Sequence, residues 1–297
     1  MDIPSQLSKS LSFIRSRMEL AGISGQPYRV GLVLGSGLGS LANEIGSAIT
    51  IPYAEIPGFP LSHVSGHAGN LVLGRIGRSQ VVALAGRSHL YEGWAPQHAT
   101  YPVRVLAALG IKNLVVSNAS GGINPRFRSG QVVLIDQHID AMRRSPFSAE
   151  ELSVKKTEVE LNSITAMRAG LHVRVGDTYD DRFMKQAERV SISLGFALHR
   201  GTYLATLGPT YETRAEYRMF ARMGADMVGM STVPEVIVAR SLGIRVLAFS
   251  IVTNVATPDA PTKTDHSEVL DWSKQAQSQL VPLIKTMLSD ADGELCN

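Results

Sequence analysis

Polar and basic side chains recur directly after apolar segments in this 297-residue chain, which is where α/β proteins place their ligands. Arg87 and His89 follow such a segment and stand two residues apart, so in an extended chain they face the same side. An arginine fork beside a histidine N–H suits phosphate or another oxyanion. The same residues would equally suit an arginine bound to a local carboxylate and an ordinary surface histidine. This pair alone leaves both interpretations open.

Three segments rich in small residues follow apolar runs: residues 35–40 (GSGLGS), 117–122 (SNASGG) and 228–235 (VGMSTVPE). Small residues let the backbone approach a ligand, so Ser36, the Ala119 N–H and Ser231 are candidate anion donors. The first segment does not match the dinucleotide-binding pattern, because Ser40 stands where a third glycine or alanine is needed, and no P-loop lysine follows. Each segment would also serve as a plain structural turn.

His63 and His67 stand four residues apart in residues 60–69 (PLSHVSGHAG). A metal site needs that spacing on a helix together with a further ligand. Gly66 and Gly69 favour a loop instead. We therefore predict no metal site, and a loop histidine that helps to hold an anion is the better functional interpretation.

Two further polar residues stand at the ends of predicted elements. Glu212, in residues 208–213 (GPTYET), opens a predicted helix, where a carboxylate also simply favours the positive helix end. Asn254 ends an apolar run, and a buried amide there needs a ligand or a backbone partner. The chain contains no GxSxG segment, no cysteine nucleophile and no paired-carboxylate pattern of the glycosidase type.

The elements that must position these residues alternate between short apolar runs and helical patterns. We predict strands at 30–34, 80–84, 112–117, 131–135, 202–206, 226–229 and 244–252, and helices at 96–109, 180–194, 212–223, 234–242 and 266–287. Several strands are continuously apolar, which indicates burial on both faces. In the third helix, Ala215, Met219 and Met223 predict a buried stripe. The pattern favours an α/β fold: one domain over residues 1–297, with a mixed, mainly parallel twisted sheet flanked by helices.

Composition excludes several classes of protein. The formal net charge is +3 and no run of Lys or Arg occurs, which argues against a nucleic-acid partner. Cys296 is the only cysteine, so neither an intrachain disulfide nor a thiolate metal cluster is possible. No apolar stretch approaches the roughly 18 residues of a membrane span, and the first 21 residues lack a signal-peptide core. We expect a cytoplasmic protein with no membrane partner.

Taken together and in this order, the segments resemble the trimeric class of purine nucleoside phosphorylases. The resemblance covers residues 31–137 and 201–275, and its most specific parts are residues 66–69 (GHAG), 118–122 (NASGG) and 229–235 (GMSTVPE). It implies a nucleoside phosphorylase-like fold, a homotrimer and no cofactor. It also implies that orthophosphate, as co-substrate, attacks C1′ of a purine ribonucleoside or deoxyribonucleoside to give the free base and α-pentose-1-phosphate.

The resemblance also implies roles for individual residues. The implied phosphate site comprises Ser36, His67, Arg87, His89, Ala119 and Ser231. The implied ribose site comprises Tyr91, Met230, His266 and Asn118, and the implied purine site comprises Glu212, Asn254, Tyr211 and Val228. Glu212, Asn254 and His89 would be catalytic. Glu212 would accept a hydrogen bond from purine N1–H and Asn254 would bond N7 and O6, so we expect inosine and guanosine as substrates and adenosine as a poor one.

Some features depart from the family pattern, and other functions stay open. Residues 141–174 do not follow the pattern, and only a count back from residues 177–180 places His172 where relatives supply an aromatic residue to a neighbouring subunit. Residues 257–261 (TPDAP) make an unusual lid segment. The alternatives are a 5′-methylthioadenosine phosphorylase, whose family carries Asp where Asn254 stands, and a nucleoside-binding protein without turnover. A third alternative, an NAD-binding oxidoreductase, is supported only by the glycine-rich turn at residues 35–40.

Overall fold

A computed structural model of the chain describes residues 3–23, 25, 27–35, 38–62, 64, 68–148, 151, 178–255, 266–290 and 293–296, with backbone alone for 266–270. Its strands are β1 (Val30–Leu34), β2 (Gly46–Pro52), β3 (Asn70–Ile76), β4 (Ser79–Ala85), β5 (Asn113–Gly122), β6 (Val132–Asp140), β7 (His199–Ala205), β8 (Met227–Gly229) and β9 (Arg245–Val255). Its helices are α1 (Ile3–Leu20), α2 (Pro96–Ala99), α3 (Tyr101–Ala108), α4 (Asp181–Ser193), α5 (Arg214–Arg222), α6 (Val233–Ser241) and α7 (His266–Ser289). Short 3₁₀ helices span Gly39–Glu44, Tyr53–Glu55 and Leu90–Glu92.

The strands form one mixed sheet in the order β2-β3-β4-β1-β5-β8-β7-β6-β9. Because β9 pairs with both β6 and β5, this end of the sheet closes on itself. The pairings β1–β4, β1–β5, β5–β9, β6–β7 and β7–β8 are parallel, and the others are antiparallel. The predicted fold class, a mixed and mainly parallel sheet flanked by helices, is confirmed.

The parallel strands β1, β4, β5 and β9 end at the same edge of the sheet. All five residues of β1 are buried, and so are the apolar residues 114–116 of β5 and the apolar residues within 246–252 of β9, as their continuous apolar runs predict. Loops that leave these ends therefore meet on a rigid, fully covered support. This edge is where the chain presents its polar residues.

Three elements have no counterpart among the predicted ones: β2, β3 and α1. β2 is an edge strand with mostly exposed residues, so its sequence lacks an apolar run. α1 buries only a narrow stripe of residues, Leu7, Ser10, Ile14 and Met18, spaced three or four apart. Local sequence signals were weak in β2 and α1 because most of each element faces water.

The predicted buried stripe on α5 is wrong. Ala215, Met219 and Met223 are exposed, and Met219 and Met223 each keep 49% of their accessible surface. The helix packs instead through Phe220, which joins a small apolar cluster with Leu204 and Val228. The four-residue spacing did define one face of the helix, but the sheet lies under a different face.

α7 is the longest of the helices that the structure describes, and it covers the sheet with Ala276, Leu280, Leu283, Ile284 and Met287, all of which are buried. It packs mainly on β9 and α4. Across the described ranges, no helix combines the length and the apolarity needed to cross a bilayer. α7 therefore covers the part of the hydrophobic core that lies behind β9.

Replacing Leu280, which is fully buried in α7, by alanine removes apolar contacts and leaves a cavity in this core. We expect Leu280→Ala to lower the free energy of unfolding by about 2–5 kcal/mol in a denaturant titration. The neighbouring Gln279→Ala, on the exposed face of the same helix, should change it by less than about 0.5 kcal/mol. Equal effects of the two substitutions would contradict the packing described for α7.

Candidate active site

A cavity of about 340 Å³ lies where the strand ends converge. The predicted site residues that line it are Arg87, His89, Tyr91, Asn118, Ala119, Tyr211, Glu212, Val228, Met230, Ser231 and Asn254. They come from the loops and strand ends after β4, β5, β7, β8 and β9, which are far apart in the chain. The fold therefore brings most of the predicted site into one enclosure.

Arg87 is buried at one end of this cavity and is held by several partners. Its Nε donates to Glu235 Oε1 at 3.2 Å, and its Nη2 lies 3.1 Å from Glu235 Oε2. Its Nη1 donates to Ser231 Oγ at 3.1 Å and to Thr232 Oγ1 at 3.3 Å. The guanidinium therefore has a carboxylate partner and also lines the cavity. Its predicted role in holding an oxyanion stays a prediction.

Glu235 is the counter-charge that the sequence analysis missed. It lies in the first turn of α6, directly after Pro234, the residue at which the sequence predicted this helix to begin. Burial raises the pKa of Glu235, and the nearby positive charges of Arg87 and His89 oppose that shift. The sequence signal was a carboxylate at the start of a helix that otherwise contains mostly apolar residues.

Thr232 caps α6 in an unusual backbone conformation, with φ 71° and ψ −55°. The Val233 N–H donates to the Ser231 carbonyl at 2.8 Å, so Thr232 is the central residue of a γ-turn. Such a conformation costs a β-branched residue on the order of 1–3 kcal/mol. The turn brings Thr232 Oγ1 to two donors, Arg87 Nη1 and Asn118 Nδ2, the latter at 2.8 Å.

Asn118 is almost fully buried, and both ends of its amide have protein partners. Its Nδ2 donates to Thr232, and its Oδ1 accepts from Ser250 Oγ at 2.6 Å. Asn118 therefore connects the end of β5 to the α6 turn and to β9. Asn118 also lines the cavity.

Gly35 brings the loop after β1 against the arginine. A Cβ at Gly35 would lie 2.5 Å from the Ser117 carbonyl oxygen and 2.9 Å from Arg87 Nη1, so only glycine fits there. The next residue, Ser36, lies outside the described residues, as do His67 and His172. The predicted roles of these three residues stay predictions.

His89 and Tyr91 occupy the wall beside Arg87. The Glu92 carboxylate accepts from the His89 backbone N–H at 2.6 Å and lies 3.1 Å from His89 Nδ1, which orients the ring. The ring stacks on Tyr91 with centroids 4.7 Å apart. Burial and the charge of Glu92 raise the pKa of Tyr91 to about 12, so its hydroxyl is a neutral donor at neutral pH.

A β-bulge shapes the end of β9. Ser120 pairs with Val252, and the next pair is Gly121 with Asn254, so Thr253 is an extra residue on β9. Thr253 Oγ1 donates to the Ser120 carbonyl at 3.2 Å. Consecutive strand residues normally face opposite sides, but here Thr253 and Asn254 both line the cavity, because the bulge re-aims the strand end.

Glu212 lies on the cavity wall just before α5. Its Oε1 accepts from Thr206 Oγ1 at 3.0 Å and its Oε2 accepts from Tyr217 OH at 3.4 Å. Burial raises the pKa of Glu212, and these two donors oppose the shift. Tyr217 also hydrogen-bonds with the Asn254 side chain, so Glu212 and Asn254 belong to one network.

The sequence analysis missed two partners of Glu212: Tyr217, which lines the cavity, and Thr206, which donates to the carboxylate. Tyr217 follows Glu212 by five residues at the start of α5, a spacing that lets it reach back by about one turn. Tyr211 does line the cavity, but it remains 49% exposed at the mouth. His266 begins α7, and its side chain lies outside the described part of the chain. Within the described ranges, no cluster of three His, Cys, Asp or Glu residues could hold a metal ion.

Comparison with known proteins identifies similar chains. The model of the phosphorylase superfamily matches residues 29–289. Purine nucleoside phosphorylase 1 of Bacillus subtilis (strain 168) is 40% identical over 287 residues, which cover 96% of this chain and 98% of the relative.

Two solved structures are similar over nearly the whole chain. A schistosoma purine nucleoside phosphorylase in complex with hypoxanthine superposes with a TM-score of 0.81 at 33% identity, covering 97% of both chains. Isoform 2 of purine nucleoside phosphorylase from Schistosoma mansoni, in complex with cytosine and ribose-1-phosphate, gives the same score and identity and covers 97% of this chain and 96% of the other.

Removing Glu235 would leave the buried Arg87 without its carboxylate. We expect Glu235→Ala to lower the free energy of unfolding by about 3–5 kcal/mol, the usual cost of breaking a buried ion pair from one side. As a control, Glu55→Ala removes a carboxylate that meets Arg17 at 3.2 Å on the surface, where both side chains are over 40% exposed. The control should cost about 0–1 kcal/mol in the same denaturant titration. A loss below 1 kcal/mol for Glu235→Ala would contradict the account of Arg87.

Proposed function

The chain belongs to the phosphorylase superfamily, and from this we propose that it catalyses the phosphorolysis of purine nucleosides, chiefly inosine and guanosine. Orthophosphate attacks C1′ while the bond from C1′ to N9 breaks, which yields α-(deoxy)ribose-1-phosphate and the free purine. The observation that carries this proposal is that one cavity is lined both by the buried Arg87 with its Ser231 partner and by the Glu212–Tyr217–Asn254 network. Such a cavity suits a substrate pair with an anion on one side and a heterocycle on the other.

We propose that the phosphate occupies the end lined by Arg87, His89, Ser231 and the Ala119 N–H, together with Ser36 and His67. Ser231 Oγ and Arg87 Nη1 already lie 3.1 Å apart, so one oxyanion can engage both groups. The counter-charge of Glu235 keeps the guanidinium in place before the anion arrives. Phosphate is anionic at neutral pH, so the reaction needs no general base to create the nucleophile.

The sugar would lie in the middle of the cavity, against Met230 and Tyr91. The neutral Tyr91 hydroxyl is a suitable donor to a ribose hydroxyl, and Asn118 lies between the sugar and the phosphate end. His266 is proposed to reach the 5′-hydroxyl. No cofactor is required, since phosphate itself is the second substrate.

The purine would lie between Val228 and Tyr211, with its polar edge toward Glu212 and Asn254. Glu212 as a carboxylate accepts N1–H of a 6-oxopurine, and Asn254 bonds N7 and O6. In the transition state the sugar carries positive charge and the purine gains negative charge. Groups whose bonds to the purine strengthen at that point lower the barrier, so Asn254 and Glu212 act chiefly on turnover.

We also propose a single domain that assembles as a homotrimer in the cytoplasm, with each site near a subunit contact. The resemblance to the trimeric class supports this assembly. Residues 152–177, on which the contribution of His172 to a neighbouring site depends, lie outside the described residues. Sedimentation of the purified protein at several concentrations would measure the assembly directly.

The choice of purine tests the proposed role of Glu212. Adenine N1 is an acceptor and would face the carboxylate unpaired, which costs about 1–3 kcal/mol or more. We therefore expect kcat/KM for adenosine to be at least about tenfold below that for inosine and guanosine. Steady-state release of base in the presence of phosphate measures all three. Adenosine turnover equal to that of inosine would overturn this assignment, and release of adenine from 5′-methylthioadenosine would favour the rival phosphorylase.

Replacing Asn254 tests whether its amide stabilises the purine as the leaving group. We expect Asn254→Ala to lower kcat by roughly ten- to a thousandfold, because its bond to N7 strengthens as that atom gains charge. Asn43→Ala, an exposed asparagine that does not line the cavity, is the matched control and should keep the wild-type kcat. An unchanged kcat in Asn254→Ala would remove Asn254 from the mechanism.

A further inference from the structure

Tyr217 lines the cavity, yet no step proposed so far uses it. Its hydroxyl lies 3.4 Å from Glu212 Oε2 and hydrogen-bonds with the Asn254 side chain. The phenol is half-buried on α5, with the ring against the small cluster around Phe220. Its polar end therefore stands between the two groups proposed to recognise the purine.

The position of this hydroxyl is held by local structure. Thr213 and Glu216 form a capping box at the start of α5, and the Tyr217 N–H donates to the Thr213 carbonyl at 3.0 Å. Across the cavity, a Cβ at Gly121 would lie 3.5 Å from the Tyr217 hydroxyl and 3.6 Å from Asn254 Nδ2. The absence of a side chain at Gly121 leaves open the space that both polar groups face.

The order of atoms around a purine ring indicates which purine atom would occupy the space that the Tyr217 hydroxyl and the Asn254 amide face. Glu212 is assigned to N1–H and Asn254 to N7 and O6, and a carbonyl oxygen such as O6 has a second lone pair that can accept another hydrogen bond. C6, which carries this oxygen, lies between N1 and the N7 side of the ring. We infer that Tyr217 is a further specificity-determining residue, whose hydroxyl donates a hydrogen bond to the 6-oxo group of the purine. This inference rests on the proposed function, because it uses the orientation of the base given there.

The hydroxyl can serve as that donor. Its contact with Glu212 Oε2, at 3.4 Å, is longer than the usual 2.5–3.0 Å of an O–H···O bond, so the proton is weakly held. Burial and the charge of Glu212 raise the pKa of Tyr217, so the phenol keeps its proton at neutral pH. As the purine leaves, part of its negative charge collects on O6, and a donor there becomes more favourable.

A change in the 6-substituent separates this role from a structural one. Inosine and 6-thioinosine share N1–H and N7, but sulfur is a much weaker acceptor than oxygen. Tyr217→Phe removes the hydroxyl and keeps the ring, whereas Tyr217→Leu removes both. Tyr101→Phe is the matched control, since its hydroxyl bonds Ser10 at 2.6 Å and Tyr101 does not line the cavity.

We expect Tyr217→Phe to lower kcat/KM for inosine roughly 10- to 100-fold, mostly through kcat, because a bond to a charged acceptor is lost. For 6-thioinosine the loss should stay below about threefold. Tyr217→Leu should likewise lose more turnover of inosine than of 6-thioinosine. Tyr101→Phe should turn over both substrates at the wild-type rate.

Equal losses for inosine and 6-thioinosine in Tyr217→Phe would show a structural role and overturn the inference. So would a Tyr217→Phe enzyme that turns over inosine at the wild-type rate. If the wild-type protein releases no hypoxanthine from inosine in the presence of phosphate, the proposed function itself fails. The wild-type assay therefore separates failure of the proposed function from failure of the Tyr217 assignment.

Discussion

Arg87 carries a full positive charge inside the protein, and the surrounding groups offset the free energy that this burial costs. Glu235 supplies the opposite charge, and Ser231 and Thr232 both accept from Arg87 Nη1. A buried charge without such partners would shift its protonation or destabilise the fold. Gly35 has no side chain because Arg87 occupies that space. These partners of Arg87 are in place before any ligand binds.

These contacts join segments that lie far apart in the chain, since Thr232 is 145 residues from Arg87 and 114 residues from Asn118. Arg87 follows β4, Asn118 lies near the end of β5, and Thr232 begins α6. A single threonine hydroxyl accepts from both Arg87 and Asn118, and its γ-turn stores backbone strain to reach them. Because the parallel strands end at one edge, a small set of hydrogen bonds is enough to connect three loops.

Glu212, which also lines the cavity, is a carboxylate whose pKa is raised by burial. Thr206 and Tyr217 donate to the two oxygens of Glu212 and favour its charged form, in which it can only accept hydrogen bonds. The bulge at Thr253 turns Asn254 toward the same space. The Arg87 guanidinium and the donors and acceptors of the Glu212–Asn254 network suit the proposed phosphorolysis. In that reaction, positive charge on the sugar would form between the phosphate and the departing purine, which both carry negative charge.

The sequence by itself determined the fold class, because buried parallel strands have continuous apolar runs. It also predicted much of the cavity wall, in part from the polar and small residues at strand ends and in part from the family resemblance. It did not determine β2 or α1, whose exposed faces weaken the pattern, and it placed Met219 and Met223 on the wrong side of α5. Only the tertiary structure paired Arg87 with Glu235 and Tyr217 with Glu212, since these contacts depend on how helices sit on the sheet. Local patterns record which residues avoid water, whereas the partner of each buried polar group is decided by three-dimensional packing.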